Sequence, residues 1–190
     1  MIDLALGVIA TQLNLALKRS FDGLEDVVVL SNLLEQDGSL ATQADNKLVV
    51  TLVNIERDTM PQRPAQSASA GARLPVTAAP VYLRLSVLIS ANFASGNYNE
   101  ALKFISAAIG FFQSRPVLDH SNTPDLDPRL DRLVMDIANL SLTELSNLWS
   151  ILSGKYLPSV LYRVRMVSVD MAQLTRQDHP IVALRSAVNP

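Results

Sequence analysis

The side chains able to carry chemistry in this chain of 190 residues are few and scattered. Its two histidines, His120 and His179, lie in separate polar segments, so nothing local supports a Ser-His-Asp arrangement. Asp125 and Asp127, with Asp119 and Asp131 nearby, form the one carboxylate cluster. Calcium would want more alternating oxygen donors and a glycine turn, and Pro128 interrupts the spacing. A solvated loop ahead of the next element explains these residues better. Gly154-Lys155 is followed by Tyr156 where a phosphate loop needs Ser or Thr, and Trp149 stands where its first glycine belongs. A helix C-cap accounts for Gly154 instead. The seven glycines contain no G-x-S-x-G elbow. With no cysteine, disulfides, thiolate metal sites and thiol catalysis are excluded. The sequence therefore supplies no catalytic set, no metal-ligand set and no cofactor motif.

Arginines give the one patterned cluster of charge. Arg163 and Arg165 fall two apart on one side of an alternating strand, and Arg84 and Arg132 lie on strands able to neighbour it. Such a group is either an anion platform or a protein-docking face. Glu56, Asp136 and Asp170 supply opposing charge, which favours an exposed, balanced sheet face over small-anion binding and leaves docking open.

Behind these residues stands a chain with 48% hydrophobic and 18% charged residues, rich enough in apolar bulk to fold as one domain with an appendage. A net charge of -2 gives no global basic field for nucleic acid. The N-terminal run MIDLALGVIATQLNLALKR is no signal peptide, because Asp3 precedes the apolar stretch and Lys18-Arg19 follow it. Thr11, Gln12 and Asn14 break it short of a membrane span. Ile2, Leu6, Ile9, Leu13 and Ala16 make it a helix with one apolar stripe, ending near residues 20–23. A helix in a cytoplasmic protein is the expectation.

Residues 27–33 are β-branched and apolar and lead to an Asp37-Gly38 turn. Residues 47–57 predict an inner strand: Val49, Thr51, Val53 and Ile55 on one face, Leu48, Val50, Leu52, Asn54 and Glu56 on the other. Residues 81–90 alternate, with Val81, Leu83, Leu85, Val87 and Ile89 toward a core. Asn97 with Glu100 opens a helix carrying Ala101, Ile105, Ala108 and Phe112, supported by Leu102, Phe104 and Ile109. Pro116 ends it, and Val117-Leu118 predicts a short strand. Residues 130–140 lean toward strand. Ser141 and Glu144 form a capping box ahead of a stripe of Leu142, Leu145, Leu148, Trp149 and Leu152. After Pro158 the period becomes two, with Val160, Tyr162, Val164 and Met166 facing one way and Leu161, Arg163, Arg165 and Val167 the other. Two segments lack a core pattern: a long loop over 58–79, with Arg63 and Arg73 among prolines and small residues, and an extended arm over 172–190. The fold expectation is α+β, a mainly antiparallel mixed sheet flanked by about three helices, with residues 1–171 as the domain.

Three segments, KLVVTLVNIERD (47–58), YLRLSVLISANFASGNYNEALKFISAAIGFFQ (82–113) and NLSLTELSNLWSILSGKYLPSVLYRVRMVSVD (139–170), occur in an order that identifies a resemblance. The chain resembles the N-terminal domain family of tail-terminator, or cap, proteins of extracellular contractile injection systems, the phage-tail-like particles of the Photorhabdus virulence cassette and antifeeding prophage kind. The resemblance implies a phage tail-terminator-like fold and a non-enzymatic homohexameric ring. It implies inner-tube and sheath subunits as partners, with assembly in the bacterial cytoplasm into the particle and neither nucleic acid nor membrane insertion. It carries over no catalytic motif. On this reading the candidate partner-interface residues are Arg57, Arg63, Arg73, Arg84, Arg163, Arg165, Leu174, Arg176 and Ile181. The rival readings are a small hydrolase-like enzyme assembled from His120, Asp125, Asp127 and the arginine face, and a generic adaptor binding peptides at a sheet edge.

Overall fold

The computed structural model describes residues 1–21, 25–35, 37–39, 41–58, 81–152 and 155–168. Within them lie helices α1 (Ile2–Ser20), α2 (Tyr98–Ser114) and α3 (Leu142–Ile151) and strands β1 (Val28–Leu30), β2 (Lys47–Arg57), β3 (Val81–Asn92), β4 (Val117–Asp119), β5 (Leu130–Ile137) and β6 (Ser159–Ser168). The sheet order is β1-β2-β3-β6-β5-β4. β1 pairs with β2 in parallel and every other pairing is antiparallel. The architecture is α+β, with three helices on a mixed, mainly antiparallel sheet. The expected loop 58–79, beyond Asp58, and the expected arm 172–190 lie outside the described residues, as does Gly154.

The alternation in β3 and β6 makes them the central pair. Leu85, Val87 and Ile89 of β3, with Val160, Tyr162, Val164 and Met166 of β6, point into one core. α1 and α2 cover that face with Ile9, Leu13 and Leu17 and with Phe104, Ile105 and Phe112, each recurring at helical spacing. The Phe112 ring meets Tyr162 at 5.2 Å between centroids. Asn14, which interrupts the apolar run of α1, accepts the backbone N–H groups of Val27 and Val28 at 3.0 and 3.2 Å. Its polarity thereby docks the start of β1 on the helix.

The second face of the sheet carries a smaller cluster of Val49, Leu88, Leu148 and Trp149 with Leu33, Ala41 and Ala44 from the β1–β2 connection. The capping box forms as its sequence requires. The Glu144 N–H donates to Ser141 Oγ at 3.3 Å, and the Ser141 N–H donates to Glu144 Oε2 at 2.8 Å.

Three local expectations are corrected. The segment 27–33 forms only the three-residue β1: the Ser31 N–H makes the last ladder bond, to the Val50 carbonyl at 3.2 Å, and Leu33 then drops into the second cluster. α2 starts at Tyr98 with Asn97 as its N-cap residue, as expected, although the Asn97 side chain makes no capping bond. Leu102, expected to support the α2 stripe, is exposed. Leu142 is 85% exposed and so stands off the α3 stripe, since it occupies the first turn, before the helix reaches the sheet.

Candidate interaction face

A shift of register between Leu52 and Asn54 decides which side chains share the second face of the sheet. Along β2 up to Leu52 the expected alternation holds. One extra residue then inverts the pleat, so that Asn54 pairs with Ser86 and Glu56 with Arg84. Asn54 and Glu56 therefore change sides relative to the sequence expectation, and Ile55 and Arg57 move to the face of Leu85 and Leu83.

Directly paired residues of a sheet project to the same side. Two polar rows follow across the central strands. One runs Glu56, Arg84, Arg165, Val134, and the next runs Asn54, Ser86, Arg163, Asp136. Arg132 joins the same face through its pairing with Val167. The structure thus brings Arg84, Arg163, Arg165 and Arg132 together as the sequence pattern suggested, and separates Arg57 from them. Arg63, Arg73, Leu174, Arg176 and Ile181 lie outside the described residues.

Beside this charged half of the face lies the apolar half, covered by α3. Arg84 Nη2 donates to Asp58 Oδ1 at 2.9 Å. Arg165 Nη2 stands 3.6 Å from Asp136 Oδ2, an ion pair too long for a hydrogen bond. The Glu144 carboxyl is held below its usual range first by the Ser141 amide and then its hydroxyl, with the charge of Arg163 adding to the effect. The N-terminus of α3 therefore sits within electrostatic reach of the arginine rows.

α3 and the segment after it also present apolar surface outward. Leu142, Ile151 and Tyr156 are 85%, 77% and 60% exposed, the three most exposed large apolar side chains among the described residues. Leu142 and Tyr156, with Leu145 and Trp149, line an open cleft of about 360 Å³. The sequence placed Leu142 in the stripe and did not single out Ile151, since helical spacing alone cannot tell a covered turn from an uncovered one.

The other candidate chemistry is accounted for structurally. A ring nitrogen of His120, Nε2, lies 2.8 Å from the Leu130 carbonyl oxygen. Asp119 organises a turn by accepting the Ser121 N–H at 2.9 Å. Asp127 accepts from Arg129 Nε at 2.8 Å, and this contact, helped by the Arg129 N–H, holds its carboxyl down at about 2. Among the described residues no group of three or more His, Asp and Glu is placed to hold a metal ion. No helix among them is long and apolar enough to cross a membrane.

Comparison with known proteins agrees with this architecture. The fold matches a solved sheath/tube terminator of an extracellular contractile injection system, PVC, in its extended state, with a TM-score of 0.60 and 19% identity. That match covers 96% of this chain and 63% of the other. It also matches the tube-terminating cap of the anti-feeding prophage, with a TM-score of 0.57 and 20% identity over 95% of this chain and 62% of that one. The chain thus spans less than two thirds of the length of these structures. Among curated protein sequences, none matches it. Residues 7–183 match the family described as the Pvc16 N-terminal domain, and the chain belongs to that family.

Proposed function

We propose that this chain is a structural tail terminator: a cap that ends the inner tube and engages the last sheath layer of a phage-tail-like contractile injection system. The observation that carries this reading is the family match over residues 7–183, joined to a fold shared across 96% of the chain with a sheath/tube terminator. The protein works as a closed homohexameric ring, binds no nucleic acid or cofactor and catalyses no reaction. It assembles in the bacterial cytoplasm and travels with the particle. Residues 1–171 are the capping domain. Residues 58–79 and 172–190 engage neighbouring subunits.

The physical support is of the right kind for such a task. A ring needs a heterologous interface that closes, built from faces already formed in the monomer. The arginine rows and the exposed apolar side chains of α3 are two such faces. A third is the outer side of β2. β1 covers only Leu48, Val49 and Val50, so the strand from Leu52 to Arg57 has no strand partner on that side among the described residues. An unpaired edge is a template for another chain's strand. Arg57, Arg84, Arg163 and Arg165 are assigned to partner contacts on this reading, as are Arg63, Arg73, Leu174, Arg176 and Ile181.

Imaging of particles assembled with and without the protein tests the reading. Overlong or variable tubes are expected in its absence, and unchanged length and stability would reject it. Deletion of residues 172–190 is expected to leave a folded domain that caps poorly. Particles of uniform length from that deletion would remove the arm from the proposal.

A further inference from the structure

The arginine rows hold more guanidinium donors than acceptors. Arg84 is served by Asp58 at 2.9 Å. Arg163 enters no hydrogen bond or ion pair with the described residues, and the nearby Glu144 carboxylate already accepts the Ser141 amide and hydroxyl. Arg165 makes no hydrogen bond either. Its Nη2 lies 3.6 Å from Asp136, and its Nε is buried without an acceptor. A guanidinium presents five N–H donors in a planar fork, and a buried donor left unpaired costs more than a made bond returns. Two adjacent forks on one sheet face, Arg165 with a buried unpaired Nε and Arg163 exposed and without an acceptor among the described residues, are better suited to receiving a ligand than to holding the fold.

The charges around them restrict what that ligand is. Asp136 is paired opposite Arg163, and Glu56 opposite Arg84. These carboxylates oppose a multiply charged phosphate or a nucleic-acid backbone, and the chain's net charge of -2 adds no attraction at long range. A single carboxylate matches the fork geometry with one charge. Val134, opposite Arg165, and Leu161 are half-buried beside the pair and offer aliphatic contact to whatever carries that carboxylate.

We propose that Arg163 and Arg165 receive one Asp or Glu side chain from an extended segment of a partner protein that carries aliphatic residues two positions to either side of it, on the same face. The inference rests on the terminator reading only in taking the partner to be a protein subunit.

The test is calorimetric titration of the whole chain with a capped Val-Ser-Glu-Ser-Val peptide, which sets one carboxylate and two valines on one face, and its Gln isostere. The acidic peptide is expected to bind more than about tenfold tighter, the discrimination expected of charged hydrogen bonds. The double variant R163Q/R165Q is expected to bind both peptides alike. R163K/R165K, which keeps the charge and removes the fork, is expected to lose most of the preference. Equal affinity of the two peptides, absence of binding, or displacement by inorganic phosphate would each overturn the assignment. The melting temperature of R165M gives a second readout that does not depend on a ligand. It is expected to hold or rise, and a fall of more than about 4 °C, on the order of 1 kcal/mol or more for a chain of this size, would make Arg165 a fold-holding residue instead. Tube length in assembled particles tests the terminator reading separately, so failure of the peptide titration leaves that result standing on its own.

Discussion

Arg84 and Arg165 stand directly opposite each other in the β3–β6 ladder, two like charges on neighbouring central strands. Such a pair is destabilising unless counter-charges intervene. The two arginines find unequal ones. Asp58 meets Arg84 at 2.9 Å with its side chain only 11% exposed, whereas Asp136 reaches Arg165 at 3.6 Å with 58% of its side chain exposed. The sheet therefore balances one arginine firmly and the other loosely.

Asp58→Asn is expected to destabilise the protein by about 1–3 kcal/mol, because it leaves a largely buried guanidinium short of its charged partner. Asp136→Asn is expected to cost less than about 0.5 kcal/mol, as for an exposed pair. Urea unfolding of the two variants checks the order. Equal losses would show that the distances do not rank the pairs.

Tyr162 is buried on the opposite face with its hydroxyl unpartnered among the described residues, and burial pushes its pKa up to about 12. Tyr162→Phe removes an unsatisfied group while keeping the ring against Phe112. It is expected to change stability by no more than about 1 kcal/mol, in the stabilising direction. The folded pKa is raised above the ordinary 10.0, so the unfolded chain loses this proton first. The contribution is complete below pH 10, falls as pH rises, and is lost through about pH 12. Thermal melts across that window are expected to fall less steeply for the variant than for the parent.

Asp127 gives the acid-side counterpart. Its carboxyl is lowered to about 2, first by the Arg129 guanidinium and then by the Arg129 amide. Its contribution is present above the ordinary value of 3.8 and is lost as pH falls through about 2. Asp127→Asn is expected to abolish that part of the acid transition. An unchanged acid limb in an unfolding titration would contradict it.

The capping box of α3 sets a local test. Ser141→Ala is expected to cost about 1 kcal/mol, since the Glu144 N–H loses its acceptor. Trp149→Ala, which opens the second cluster, is expected to cost about 3–5 kcal/mol. Leu142→Ser, at an 85% exposed position, is expected to stay within about 0.5 kcal/mol. Denaturant titrations of the three rank the helix start, the packed face and the free face. A large loss at Leu142 would mean that its side chain packs in solution.

Much of this was legible in the residues themselves. The capping box needs only Ser141 and Glu144 three positions apart, and the alternation of Val160, Tyr162, Val164 and Met166 fixes a buried face by the pleat alone. The stripe of α1 and the short strand after Pro116 are equally local. Other features depend on contacts between distant segments. The inverted faces beyond Leu52 arise from a register shift that β2 makes only while paired with β3. The exposure of Leu142 depends on where α3 meets the sheet.

The sequence by itself determined where the main helices and strands lie and, apart from β2 beyond Leu52 and single positions such as Leu102 and Leu142, which side of each is apolar, because those follow from periods of 3.6 and two. It also determined that no local kit for catalysis exists. Only the tertiary structure decided that β6, last of the described strands, lies between β3 and β5. That order sets Arg163 and Arg165 between Arg84 on one side and Asp136 on the other, and leaves Arg165 Nε buried without an acceptor. The physical reason is that strand partners are selected by the joint burial of whole faces, and charge balance between strands exists only once those partners are chosen.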